Sequence, residues 1–110
     1  MKQLPPTLRH DYRYIKFEIN SEQELEIGEV VDSIWDAALN YMGEKNAGRA
    51  NIWVIGNQFN QEKQQGVIKV RREYEDDLRA ALTLIEKVNS QKCFFQTVKV
   101  SGAIKNLKDS

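Results

Sequence analysis

From Tyr12 to Ile19 apolar and polar side chains alternate, with Ile15, Phe17 and Ile19 on one face and Tyr12, Tyr14, Lys16 and Glu18 on the other. Period two in aromatic and β-branched residues predicts a half-buried strand. A polar, acidic stretch follows, and then Ile27, Val30, Val31, Ile34, Ala38, Leu39 and Met42 recur at helical spacing. That spacing predicts a helix from about Gly28 to Met42, ending near Gly43. Gly43 to Arg49 reads as a loop, with glycines near both ends and Asn46 inside. Ile52 to Ile55 predicts a second strand and Asn60 to Gln65 a polar hairpin connection. Val67 to Arg72 predicts a third strand, with Ile68 and Val70 on one face and Val67, Lys69 and Arg71 on the other.

The next stripe is Leu78, Ala81, Leu82, Ile85 and Val88, which fits one face of a helix. Glu75, Asp76 and Asp77 fall in its first turns, where carboxylates suit the helix dipole. After Asn89-Ser90 a fourth strand spans roughly Cys93 to Val100, with Phe94, Val98 and Val100 on one face, and Ser101-Gly102 ends or bends it. The order β-α-β-β-α-β predicts an α+β fold of ferredoxin-like or RRM-like type. Both helices would cover one face of a four-stranded antiparallel sheet and leave the other open. Residues 1–10, with Pro5 and Pro6, read as an irregular basic arm, and residues 11–110 as a single domain.

Charge changes the picture. The whole chain of 110 residues is neutral, with 16 basic and 16 acidic side chains. By segment the neutrality disappears: residues 18–44 hold eight acidic and no basic residues, and residues 45–72 hold six basic and one acidic. The helices are acidic, and the strands and loops are basic. With the helices behind the sheet, the open face gathers positive charge. There Tyr12, Tyr14 and Lys16 would neighbour Lys69 and Arg71, and rings interleaved with cations are what a nucleic-acid-binding sheet needs. Trp53 reads three ways, as edge packing, as a protein contact or as a base-stacking ring. Val67 and Phe95 are further candidates, with Tyr12, Tyr14 and Trp53, for a surface that a partner protein buries.

Catalytic patterns are weak. His10, the single histidine, lies in the arm without an orienting partner. Glu22, Glu24 and Glu26 sit in a charged loop with no apolar pocket to separate their protonation. Gly43 and Gly48 lack the Lys-Ser/Thr ending of a phosphate loop. Cys93 is the single cysteine, so neither an intrachain disulfide nor a cysteine-built metal site can form, and its apolar neighbours predict a buried, inert thiol. The start MKQLPPTLRH lacks the apolar stretch of a signal peptide, and no apolar run reaches the ~18 residues of a membrane span. The expectation is a soluble, cytoplasmic chain with no catalytic residue, bound cofactor or membrane contact of its own.

Three stretches carry a resemblance: RHDYRYIKFEI (Arg9 to Ile19), GVIKVRREYEDDLRAALTLIEKV (Gly66 to Val88) and VKVSGAIKN (Val98 to Asn106). With VVDSIWDAALNYMG matching more loosely between them, nearly the whole chain resembles the archaeal ribonuclease P protein component 2 family. The resemblance implies an accessory subunit of ribonuclease P, which removes the 5′ leader from precursor tRNA with RNA as its catalytic component. It implies ribonuclease P RNA and ribonuclease P protein component 3 as partners, with self-association into a heterotetramer. Divalent cations such as Mg would serve the RNA of the complex. Carried over by position, the RNA-contact candidates are Arg9, Arg13, Lys69, Arg71 and Arg72, with Lys99 and Lys105 flanking the closing motif; the open-face reading adds Lys16. Gly66 to Arg72 holds no RNP-type aromatic, so recognition is expected to rest on phosphate and RNA shape more than on bases. The rival reading is a protein-interaction module of a larger complex without RNA contact.

Overall fold

The computed structural model describes residues 11–107. The expected arm, with Arg9 and His10, lies outside them. The elements are β1 (Tyr12–Ser21), α1 (Ile27–Met42), α2 (Glu44–Ala50), β2 (Trp53–Val54), β3 (Gln65–Arg71), α3 (Glu75–Thr83), β4 (Lys87–Val88) and β5 (Gln91–Ser101). Short 3-10 turns at 56–58, 72–74 and 104–107 join or close them. The fold is α+β, as expected, but among the described residues the sheet has five strands in the order β2-β3-β1-β5-β4 and three α-helices accompany it. The first four strands of that order keep the expected ferredoxin-like arrangement, and β4 adds an edge.

The alternation in β1 places it at the sheet's centre. It pairs antiparallel with β3 from Tyr12↔Arg71 to Glu18↔Gln65 and with β5 from Tyr14↔Ser101 to Ser21↔Cys93. Ile15, Phe17 and Ile19 are buried, together with Ile68 and Val70 of β3. Over them lie Val30, Ile34, Ala37 and Ala38 of α1 and Leu78, Ala81 and Leu82 of α3, in one core cluster. Trp35 packs against that cluster from the flank of α1. At the helix start the Glu29 carboxylate accepts the Glu26 backbone N–H at 3.2 Å, satisfying a donor left over from the first turn.

Phe17 stacks on Phe95 with ring centroids 5.7 Å apart. Directly across from Phe17 is Gly66, where a Cβ would lie 2.7 Å from the Phe17 ring. That position therefore needs glycine for space. Just before it, Gln64 adopts the left-handed conformation (φ 52°) with its side chain buried. Its Oε1 accepts the Leu25 N–H at 2.8 Å, and its Nε2 donates to the carbonyls of Leu25 (3.1 Å) and Gln61 (2.7 Å). One side chain thus ties the β3 approach to the segment entering α1.

Four expectations need correction. The predicted loop from Gly43 to Arg49 is mostly helix α2; buried Ala47 and Ala50 hold a turn-rich sequence in place by packing rather than propensity. The second strand shrinks to Trp53–Val54. α3 stops at Thr83, and the last two members of its stripe, Ile85 and Val88, reach the core from a turn and from β4. Asn89 and Ser90, both at positive φ, form the two-residue turn of a β4–β5 hairpin. Lastly, the register of β5 shifts between Lys16 and Phe17 of β1, which pair with Lys99 and Thr97. Val98 is the extra residue of this bulge, so Cys93, Phe95, Thr97 and Val100 face the helices while Phe94 does not. The predicted face of Phe94, Val98 and Val100 is thereby split.

Candidate RNA interface

The sheet face away from the helices is the candidate site. Period-two geometry assembles it: Trp53 from β2; Val67, Lys69 and Arg71 from β3; Tyr12, Tyr14, Lys16 and Glu18 from β1; Phe94, Gln96 and Lys99 from β5. Lys69 sits at its middle, opposite Tyr14 on one side and Trp53 on the other. Its Nζ lies 4.2 Å from the centroid of the Tyr12 ring, a cation–π contact. The Tyr12 hydroxyl accepts a hydrogen bond from Asn51 Nδ2 at 2.9 Å, which fixes the ring. Trp53 is 66% exposed.

The next cationic pair is Lys16 opposite Lys99. Like charges directly across a ladder repel, and here backbone carbonyls of the C-terminal turn face both. Lys16 Nζ donates to the Leu107 carbonyl (3.4 Å) and Lys99 Nζ to the Asn106 carbonyl (2.8 Å). Glu18, the acid on this face, accepts a hydrogen bond from Gln65 Nε2 at 2.8 Å. Acidic exposed side chains instead crowd the helices, with Asp32 and Asp36 on α1 and Asp76 and Asp77 on α3. The expected separation of charge between the two sides of the sheet is present.

The remaining candidates divide. Arg71 lies on the open face opposite Tyr12. Arg72 begins the 3-10 turn after β3, where Nη2 stands 3.6 Å from the Asp11 carboxylate in an exposed pair. Lys105 is exposed in the turn at 104–107. Arg13 is not on the open face: it pairs with the core residue Val70, and its Nη1 donates to the Tyr12 carbonyl at 3.1 Å. Phe95 is a core residue, 4% exposed against Phe17, rather than part of a partner surface. Val67 does face the open side but is only 5% exposed, in a recess it shares with Lys16 and Leu107. Leu107 is itself buried, so the C-terminal turn folds over this part of the sheet.

Two cations that the sequence reading did not single out are Lys87 and Lys92, opposite each other on the β4–β5 hairpin and beside exposed Phe94. The signal for them was the Asn89-Ser90 turn. Burial pushes the Cys93 thiol above its ordinary pKa, which suppresses the reactive thiolate. Among the described residues no three His, Cys, Asp or Glu side chains gather as metal ligands would, and no helix is long and apolar enough to cross a membrane.

Comparison with known proteins sets this face in context. Residues 13–110 match the profile of the Rpp14/Pop5 family. The chain belongs to that family. Across 107 residues it is 41% identical to ribonuclease P protein component 2 of Thermococcus gammatolerans, covering 97% of this chain and 88% of that protein. The protein of the same name from Pyrococcus abyssi is 41% identical over 108 residues, covering 98% and 90%. The one from Methanobrevibacter smithii is 32% identical over 112 residues, covering 96% and 92%. In fold, the chain is similar to one in the cryo-EM structure of yeast ribonuclease MRP, with a TM-score of 0.67 over 86% of this chain and 76% of that one. Their sequences are 10% identical, so this second likeness concerns fold alone.

Proposed function

We propose that this chain is a non-catalytic protein subunit of ribonuclease P that supports the catalytic RNA as it removes the 5′ leader from precursor tRNA. The observation that carries the reading is the 41% identity, over almost the whole chain, to archaeal proteins named ribonuclease P protein component 2. The geometry supports it physically. A sheet face carrying Lys16, Lys69, Arg71 and Lys99, backed by acidic helices, suits phosphate on one side only. Neutralising phosphates where RNA strands approach closely stabilises the folded RNA with its bound substrate. Hydrolysis and the divalent ions that assist it belong to the RNA. The protein partners in this reading are ribonuclease P protein component 3 and a second copy of this chain, in a heterotetramer, and the setting is the cytoplasm.

The test is precursor-tRNA cleavage by reconstituted ribonuclease P RNA and proteins at near-physiological magnesium and salt, with and without this chain. A rate that rises only when this chain and component 3 are both added supports the reading. No gain, in a complex otherwise competent and with the chain verified as folded, overturns it. A second reading, an interaction module without RNA contact, draws on exposed Phe94 and Val98 on β5 and Leu39 and Tyr41 on α1. It predicts full activity after the open-face cations are neutralised.

A further inference from the structure

Trp53 stands out on the open face. An indole is a large apolar group, and a tryptophan left 66% exposed is unfavourable unless something covers it. Its orientation is fixed by the strand: Val54, the other residue of β2, packs against the core, so Trp53 must point the opposite way. Across the ladder is Lys69, and its ammonium leans over the Tyr12 ring on the far neighbour, β1, rather than over the indole. Asn51, two residues before Trp53, holds that tyrosine by its hydroxyl. The result is an ordered row of ring, cation and ring across β2, β3 and β1.

Resting on the RNA-subunit reading above, we propose that Trp53 is a stacking platform for an unpaired RNA nucleotide, with Lys69 meeting the nucleotide's phosphate. Residues directly opposite in an antiparallel pair stand about 5 Å apart, which is the scale of one nucleotide. The surroundings select the ligand. A docked apolar side chain would need neighbouring apolar surface, yet the exposed Phe94 and Val98 are on β5, with β3 and β1 between. What adjoins Trp53 across the ladder instead is cationic, the side chain of Lys69. A ring beside a cation fits a base and its phosphate. Duplex RNA keeps its base faces stacked inside, so the ligand is single-stranded. Aromatic residues absent from β3 are thus supplied by the strands on either side of it.

The test uses the full chain carrying Trp35→Phe, so that Trp53 is the only fluorescent indole. It is titrated with a single-stranded oligoadenylate, with long duplex RNA and with polyphosphate. Oligoadenylate is expected to quench Trp53 and polyphosphate to leave it unchanged. Trp53→Ala in the natural chain is expected to weaken oligoadenylate binding about five- to hundred-fold, the equivalent of stacking one base. Duplex affinity and the salt slope stay as they were, and Trp53→Phe recovers most of the loss. Lys69→Ala is expected to weaken both RNAs and lower the salt slope by about one. If Lys69→Ala weakens binding and Trp53→Ala does not, stacking is overturned and the RNA reading stands. If Trp53→Ala spares RNA binding but loses the complex with a protein partner, the ring is a protein contact and the proposal fails. If the unmodified chain neither binds any of the RNAs nor raises reconstituted cleavage, the underlying reading fails with it.

Discussion

Lys16 and Phe17 are adjacent in sequence and belong to opposite worlds. Phe17 is wholly buried, stacks on Phe95 and presses on Gly66 so closely that no side chain fits there. Lys16 looks out onto the open face, with Lys99 across from it and a backbone carbonyl holding its ammonium. One face is stabilised by shape and apolar burial. The other keeps Lys69 in place by a π-face, and Lys16 and Lys99 by backbone carbonyls. Because the two alternate along β1, the core and the charge of the open face can be changed separately, one residue at a time.

The strongest way to break that separation is from the core side. Phe17→Ala is expected to cost about 3–5 kcal/mol, read as a lowered midpoint in urea unfolding, because it removes a buried ring and leaves a cavity. Gln64→Ala comes next at about 1–3 kcal/mol, since the Leu25 N–H loses its buried acceptor. Comparing its urea midpoint with that of Gln61→Ala separates this effect from any change in the exposed loop. On the other face, Lys69→Ala is expected to cost at most about 1 kcal/mol, the worth of its contact with Tyr12, while weakening RNA binding several-fold in a salt titration.

The smallest effect concerns Cys93. Burial raises the thiol's pKa in the folded chain, so the unfolded chain gives up this proton first as pH rises. The neutral thiol's contribution is fully present below the ordinary thiol pKa of the unfolded chain, and it is lost as pH climbs through the raised folded value. Unfolding measured across that alkaline window should therefore show a shallower decline in Cys93→Ala than in the natural chain. An unchanged slope would mean that the thiol titrates alike in both states.

Where one period ran unbroken, the sequence was a good guide. β1, α1 and β3 lie within a few residues of their expected spans, and the faces of Ile15, Phe17, Ile19, Ile68 and Val70 are as the alternation required. Trouble came where a different rule took over. In α2, two alanines docked on the core outweigh Gly48 and Asn46. At Ile85 and Val88 a spacing compatible with helix is met instead by a turn and a strand. The Val98 bulge reverses the expected faces of Phe94 and Phe95, and no local pattern announced it. Within the candidate site, parity placed Lys69, Arg71, Tyr12, Tyr14 and Lys16 together. It could not foresee that Val67 would share a recess with Leu107 of the turn at 104–107, because those residues lie far apart in sequence.

The bulge at Val98 has a consequence for solubility. Among the described residues, β4 pairs with β5 only at Gln91 and Lys92, so most of β5 has a neighbouring strand on one side alone. A long, regular edge with exposed Phe94 and Val98 would invite further chains to add strands in register. An extra residue midway along bends the strand and spoils the even spacing of its N–H and C=O groups, and Lys99 beside it brings a charge. The irregularity thus works against strand-by-strand fibre growth at a border that exposes apolar side chains.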